Sequence, residues 1–369
     1  MNSIIDEVMS RTGAEEPKKT VARTPSQSSY TSDDEELEKI LAGLKTNIVI
    51  FGCGGGGSNT IDRLVEDGIT GAELYAANTD AQHLLRIKSP HKILLGRRTT
   101  KGLGAGALPQ IGEEAAKEAE EEIREAINAA DVVFVTCGLG GGTGTGSAPF
   151  VAKLAKEVGA LTIAICTSPF QSEGRIRMEN AEWGLEKLRG VADTVIVIPN
   201  DKLVELYPRL GITEAFKVAD EVLVRSIKGI TEIVTKPGLV NLDFNDLKTV
   251  MKGGGVAMIG LGSGEGEDRA VDAMNEAINS PLIDVDITGA TGALVNVTGG
   301  PDMSIGEAES IAETLQGKIS ANARIIWGAS VDPTMEGKIM VMVVITGVKS
   351  KHILGPSKEK APIDIDFIG

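Results

Sequence analysis

Aromatic side chains are scarce in this chain: Phe, Tyr and Trp make up 3% of its 369 residues. Its cores must therefore be filled by aliphatic side chains and alanine, and the 42% hydrophobic content supplies them. Histidine and cysteine are equally thin, with three of each. His83, His91 and His352 are scattered, and Cys53, Cys137 and Cys166 form no CxxC pair. No His, Cys and carboxylate spacing suggests a metal cage, so no metal ligands are expected among the side chains. Each cysteine ends or follows an apolar run, which fits buried, reduced thiols in a cytoplasmic protein. Long apolar runs are missing too. The longest, Ile339 to Ile345, falls far short of the roughly 20 residues of a membrane span. The opening MNSIIDEVMS carries acids and no apolar signal-peptide core, so no direct membrane insertion is expected. Positive charge is outweighed, with 37 Lys and Arg against 52 Asp and Glu. The net charge of −15 would repel phosphate-rich partners, so no nucleic-acid partner is expected. The GxxxxGK[ST] signature is also absent, which excludes a P-loop.

Glycine, by contrast, is abundant: 45 residues, against a usual share of about 7%. The excess is concentrated in three loops, which points to sites made from backbone. Gly52-Cys53-Gly54-Gly55-Gly56-Gly57-Ser58-Asn59 follows an apolar run, Asn47 to Phe51, and leads into a helical pattern over 58–66. Gly102-Leu103-Gly104-Ala105-Gly106 is the second. The third, Leu139-Gly140-Gly141-Gly142-Thr143-Gly144-Thr145-Gly146-Ser147, lies between a strand at Val132 to Thr136 and a helix from Ala148. A strand, a glycine turn and a helix start bring backbone N–H groups and partial positive charge to one point, where a phosphate binds. A plain glycine-rich surface loop is the alternative for any one of them. The first loop also satisfies GxGxxG, with Asp80 where a dinucleotide-binding fold places its ribose acid. A dinucleotide needs one such cradle, and three on one sheet edge suit a nucleoside triphosphate better.

The organisation supports this. Residues 1–45, rich in Ser, Thr, Pro, Lys and Glu over Arg11 to Asp34, are expected to be a disordered extension, with a short helix at Glu35 to Leu44. From residue 46 to 210, strands and helices alternate, as in a Rossmann-like α/β fold with a parallel sheet. Its strands are Asn47–Phe51, Ala72–Ala77, Lys92–Leu95, Val132–Thr136, Ala160–Cys166 and Thr194–Ile198, and one long acidic helix covers Ile111 to Ala130. Every candidate site falls at a strand's C-terminal end, where such sheets bind ligands. Residues 211–238 hold a helix, Thr213 to Thr235, apolar nearly all round and so expected between two layers. Residues 239–349 read as a smaller α/β domain, and 350–369 as a short tail.

The GGGTGTG run, the GCGGGGSN loop, Asn78-Thr79-Asp80, Gly104-Ala105-Gly106 and NLDFND at 241–246 together resemble the tubulin/FtsZ superfamily, over about residues 46–349. The resemblance implies the fold of that superfamily and a GTPase using GTP and GDP, with Mg2+ held mainly through the phosphates. Gly54, Gly55, Gly56, Gly57, Ser58 and Asn59 would wrap the α- and β-phosphates, with Asn59 near the base. Gly140, Gly141, Gly142, Thr143, Gly144, Thr145 and Gly146 would hold the β- and γ-phosphates. Gly104, Ala105 and Gly106 would sense the γ-phosphate, and Asn78 belongs to the same site. Pro169, Glu173 and Arg177 match the ribose loop, and Asn200, Phe216 and Asp220 the guanine site. On the residues alone, Phe216 reads rather as core and Asp220 as a solvated helix acid, and only their joint spacing and match to the family reverse this. Leu108 stands where the family commonly has Asn.

Asn241, Asp243 and Asp246 are the catalytic candidates. On their own, the two acids read as a helix N-cap and a first-turn acid. The resemblance implies instead that this loop enters the nucleotide site of the next subunit and polarises the attacking water. Further implications are head-to-tail homopolymers forming a cell-division ring at mid-cell, and hydrolysis that depends on assembly. The tail Ala361 to Gly369, alternating apolar and acidic, would reach a membrane adaptor or division protein. Two rivals stand beside this: a diverged paralogue acting as a GTP-binding scaffold, and a dinucleotide-dependent oxidoreductase.

Overall fold

Parallel strands buried on both faces need side chains that are apolar at every position, and β1 (Ile48–Cys53) has all six residues buried. In a computed structural model describing residues 46–206, 212–235, 243–283 and 285–348, this strand heads a β/α alternation. It leads into α1 (Gly54–Glu66), β2 (Ala72–Asn78), α2 (Ala81–Arg86), β3 (His91–Leu94), α3 (Pro109–Glu118) and α4 (Glu120–Ile127). Then follow β4 (Val132–Gly138), α5 (Thr143–Glu157), β5 (Leu161–Ser168), α6 (Arg175–Val191), β6 (Thr194–Pro199) and α7 (Asn200–Leu206). The central helix is α8 (Ile212–Thr235). After it come α9 (Phe244–Met251), β7 (Gly255–Glu265), α10 (Arg269–Ile278), β8 (Gly292–Gly299), α11 (Ile305–Gln316), β9 (Arg324–Val331) and β10 (Lys338–Thr346).

The strands form a single sheet in the order β3-β2-β1-β4-β5-β6-β7-β10-β8-β9. From β3 through β6 every pairing is parallel. The sheet crosses into its second half through a short parallel register, Thr194 to Ile196 against Gly255 to Ala257. There β10 pairs antiparallel with both β7 and β8. Alternation along β1 separates the two faces. Ile48 and Ile50 join the core under α8, and Val49, Phe51 and Cys53 the core under α5. The central helix buries Leu223, Ile227 and Ile230 in a cluster that also holds Ile163 of β5, Ile259 of β7 and Val344 of β10, so it packs against both halves. A third cluster fills the space under α10 and α11.

Several helix boundaries differ from the sequence-based expectation, most of all at the helix starts by the glycine loops and inside the long acidic helix. Helices α1 and α5 start at Gly54 and Thr143, not Ser58 and Ala148, so glycines read as loop occupy the first turns. The long acidic helix breaks at Ala119, whose φ and ψ are −101° and 19°, and whose N–H bonds three residues back to Ala116. Its expected inward residues, Ala115, Ala119, Ile123 and Ile127, are all buried nonetheless. Helices α2 and α7 had not been anticipated. The extension, the tail and Asn241 lie outside the described residues.

Candidate functional site

Strands β1, β2, β4, β5 and β6 end on one edge of the sheet, and a cleft of about 600 Å³ lies there. At one end of it two helices begin. Gly54 has φ +70°, and a Cβ on it would stand 2.6 Å from the Gly144 backbone nitrogen. A Cβ on Gly144 would stand 3.0 Å from the Cys53 carbonyl oxygen. Bare backbone at both positions thus lets the N-termini of α1 and α5 meet. Each helix leaves its first-turn N–H groups without intrahelical partners and carries partial positive charge there. Two such ends converging on one cleft make an anion site of backbone alone. Gly57 and Gly146 serve packing in the same way, because a Cβ on them would overlap the carbonyl oxygens of Thr136 and Pro109. Gly55 and Gly141 are different: nothing lies within 4 Å of where their Cβ would stand, and both line the cleft.

Of the anticipated phosphate residues, Gly55, Gly56, Asn59, Asn78, Gly104, Ala105 and Gly106 line the cleft, as do Gly141, Gly142, Thr143 and Gly144. Gly54, Gly57, Ser58, Gly140, Thr145 and Gly146 do not. Two loop N–H groups are engaged within the protein: Gly140 donates to Thr145 Oγ1 at 2.9 Å and Gly142 to the Gly106 carbonyl at 2.9 Å. The second bond ties the third glycine loop to the 102–106 loop. That loop is fastened in turn by Gly104 N–H on the Thr79 carbonyl, and the Thr79 and Thr143 hydroxyls bond at 2.6 Å.

Beyond the glycine loops the lining changes from backbone to side chains. Pro169, Glu173 and Arg177 line the middle, where Glu173 accepts from Arg177 Nη1 at 2.6 Å and from the Phe170 N–H at 2.9 Å. At the far end stand Asn200, Phe216 and Asp220. The Asn200 Oδ1 is buried without a hydrogen-bond partner, which suits a donor arriving with a ligand. Burial pushes the Asp220 carboxyl up to about 6, against the opposing pull of Arg63 3.8 Å away. The Phe216 ring is 41% exposed, edge-on to Phe170 at 5.1 Å, so it is not core. The sequence reading missed His83, which touches Asn78 and Asn59 within the cleft. A lone histidine carries no pattern that would have flagged it. Asp80, the would-be ribose acid, is instead the N-cap of α2, accepting from the N–H groups of Gln82 and His83.

The catalytic candidates lie elsewhere. Asp243 caps α9, its Oδ1 accepting from the Asn245 N–H at 3.1 Å, and Asp246 sits in the first turn. Both are exposed, and neither lines the cleft. Helix α9 leads to Gly255, which pairs with Thr194 at the start of β6, the sheet edge opposite the cleft. Among the described residues no group of three or more His, Cys, Asp or Glu is placed to hold a metal ion, and no helix is long and apolar enough to cross a membrane.

This geometry has counterparts. Residues 47–208 match the model of the Tubulin/FtsZ family GTPase domain, and residues 255–349 that of the FtsZ family C-terminal domain. The chain belongs to the FtsZ family. It is 56% identical to cell division protein FtsZ 1 of Archaeoglobus fulgidus over 355 residues, covering 96% of this chain and 95% of that one. It is 60% identical to cell division protein FtsZ of Haloferax mediterranei over 331 residues, covering 90% of this chain and 88% of the other. An empty FtsZ dimer of M. jannaschii superimposes with a TM-score of 0.82 at 54% identity, covering 86% of this chain and 92% of that one. The FtsZ-family GTPase domain thus holds the whole β1-to-β6 edge with its glycine loops. The C-terminal domain begins at the first residue of β7.

Proposed function

We propose that this chain binds GTP in the cleft, polymerises head to tail through that nucleotide, and hydrolyses it to GDP and phosphate only at junctions between subunits. The observation that carries this is the separation of the two halves of the chemistry. The cleft offers donors for phosphates and acceptors for a base, but Asp243 and Asp246 are exposed on another part of the molecule. A second copy, stacked by the same operation each time, would bring its acids to the first copy's nucleotide, and repetition of that operation builds a filament.

The surroundings of the cleft support a junction there. Leu103 is 86% exposed between two residues of the 102–106 loop, and Leu108 and Ile176 are exposed beside cleft residues. Apolar side chains gathered around a polar site suit a partner surface. The solved M. jannaschii relative is a dimer. At the phosphate end the first-turn N–H groups of α1 and α5 hold the α- to γ-phosphates, and Mg2+ travels with the phosphates, whose charge it offsets. At the base end Asp220 and Asn200 accept from the guanine N1–H and amine, with Phe216 across the ring. In the junction Asp243 and Asp246, with Asn241, orient the attacking water and draw on its proton.

On this reading the filament is the cytoplasmic division ring at mid-cell, and the tail 361–369 joins it to a membrane adaptor or division protein. The test is phosphate release against protein concentration. Specific activity rises steeply from dilute to concentrated protein, and Asp246→Ala removes turnover while GTP still binds. Specific activity that stays flat on dilution contradicts the reading.

A further inference from the structure

An amide side chain can face a ligand with its oxygen or its nitrogen, and its other neighbours decide which. In this cleft a single backbone N–H starts a chain of such decisions. The Asp80 N–H donates to Asn78 Oδ1 at 3.3 Å, which directs the Asn78 amide nitrogen the other way. That nitrogen lies 3.1 Å from His83 Nδ1. Since Asn78 donates there, Nδ1 must accept, and the neutral ring carries its proton on Nε2. The Nε2 atom lies 3.0 Å from Asn59 Oδ1, so His83 donates to that oxygen. Asn59 then holds its oxygen toward His83 and presents its NH2 group to the cleft, which both it and His83 line.

The ring is itself held in place. His83 sits in the first turn of α2, and its own N–H bonds to Asp80 Oδ1 at 3.0 Å. Asn78 is 4% exposed, so the start of the relay is shielded from water, while Asn59 is exposed to the cleft.

We propose that His83 is a positioning residue: held between Asn78 and Asn59, it fixes Asn59 as a hydrogen-bond donor to an acceptor atom of guanosine. The inference rests on the cleft being the GTP site and adds a residue that touches neither phosphate nor Asp220. Its consequence is affinity. Without the relay the Asn59 amide is free to turn and offer its oxygen, which leaves the acceptor atom without its donor. The acceptor is either a purine ring nitrogen or a ribose hydroxyl oxygen, and both share the same donor.

The experiment measures GDP binding by calorimetry for the natural chain, His83→Leu and His83→Gln. GDP avoids turnover and assembly. A glutamine side chain can accept from Asn78 and donate to Asn59, as neutral histidine does, whereas leucine can do neither. We expect His83→Leu to bind GDP about 10-fold more weakly, the scale of one positioned hydrogen bond. His83→Gln should stay within about 3-fold of the natural chain. 7-Deaza-GDP, 3-deaza-GDP and 2′-deoxy-GDP identify the acceptor: with the analogue that lacks it, the leucine penalty disappears. Unchanged GDP binding by His83→Leu overturns the proposal, and so does an equal loss in His83→Gln. A second measurement needs no variant. A long-range 1H–15N spectrum of the natural chain should show His83 protonated on Nε2, and protonation on Nδ1 overturns the relay. Failure of the natural chain to bind GDP at all would instead remove the GTP reading and leave the tautomer result standing.

Discussion

The two ends of the cleft are built from different materials. The end proposed for the phosphates is backbone: the starts of α1 and α5, brought together because Gly54 and Gly144 lack side chains. The end proposed for the base is side chain: Asn59, His83, Asn200, Phe216 and Asp220, drawn from helices α1, α2, α7 and α8. A phosphate is one anion that any well-aimed N–H can satisfy, so backbone suffices. A base must be told from other bases by its pattern of donors and acceptors, which needs side chains of known sense. Sensitivity to substitution should divide along the same line.

The largest effect is expected at Gly141. A Cβ there meets nothing within 4 Å, so Gly141→Asp should fold normally, melt within a few degrees of the natural chain, and lose GDP affinity by about 100-fold or more through charge repulsion. Gly144→Ala should behave oppositely in stability. Its methyl stands 2.9 Å from the Gly138 carbonyl oxygen and 3.0 Å from that of Cys53, so denaturant unfolding should show a loss of about 1–3 kcal/mol. GDP affinity should fall with it, as the two helix starts are pushed apart. If both variants unfold alike, the distinction between open and packing glycines is lost.

At the base end, Asp220→Asn should narrow the preference for GDP over ADP, with a loss of about 10-fold or more in GDP affinity. Its effect on stability has the opposite sign. Burial raises the Asp220 carboxyl from 3.8 to about 6, so the folded state binds this proton more tightly than the unfolded chain. Ionisation therefore costs the empty protein stability as pH rises from about 4 through 6, and the cost is complete above that. Asn removes it, raising stability at pH 7–8 by on the order of 1–3 kcal/mol in a urea titration. For the natural chain, acidification below pH 6 should weaken GDP binding while steadying this site of the empty protein. The smallest effect belongs to Phe216→Ala, about 1 kcal/mol or 5-fold in GDP affinity, because a partly exposed stacking ring loses little on removal.

The same division explains what could be read in advance. Backbone sites announce themselves through glycine, because close approach excludes every other residue type, and the three loops were legible for that reason. What glycine concealed was the helix start: Gly54 to Gly57 and Gly144 to Gly146 read as loop, although tertiary packing makes them first turns. The strands with unbroken aliphatic runs were legible too, since burial on both faces admits little else. Their continuity into a ten-stranded sheet was not, because it depends on three residue pairs between β6 and β7. Phe216 and Asp220 gained meaning only from their joint match to a family pattern, since each alone fits a bland role. His83 had no such support, and its place between two asparagines is a matter of geometry that one-dimensional spacing does not carry.

The central claim is that the hydrolytic centre is shared between two copies, and mixing two disabled variants tests it most directly. Asp246→Ala keeps its cleft and loses its acid; Gly141→Asp keeps its acid and loses its cleft. Each alone should release no phosphate. In an equal mixture, an Asp246→Ala cleft with its bound GTP can meet the acid of a Gly141→Asp copy, so phosphate release should return well above that of either variant alone. A mixture that sediments together yet stays inert, or full turnover by Asp246→Ala on its own, would contradict the account.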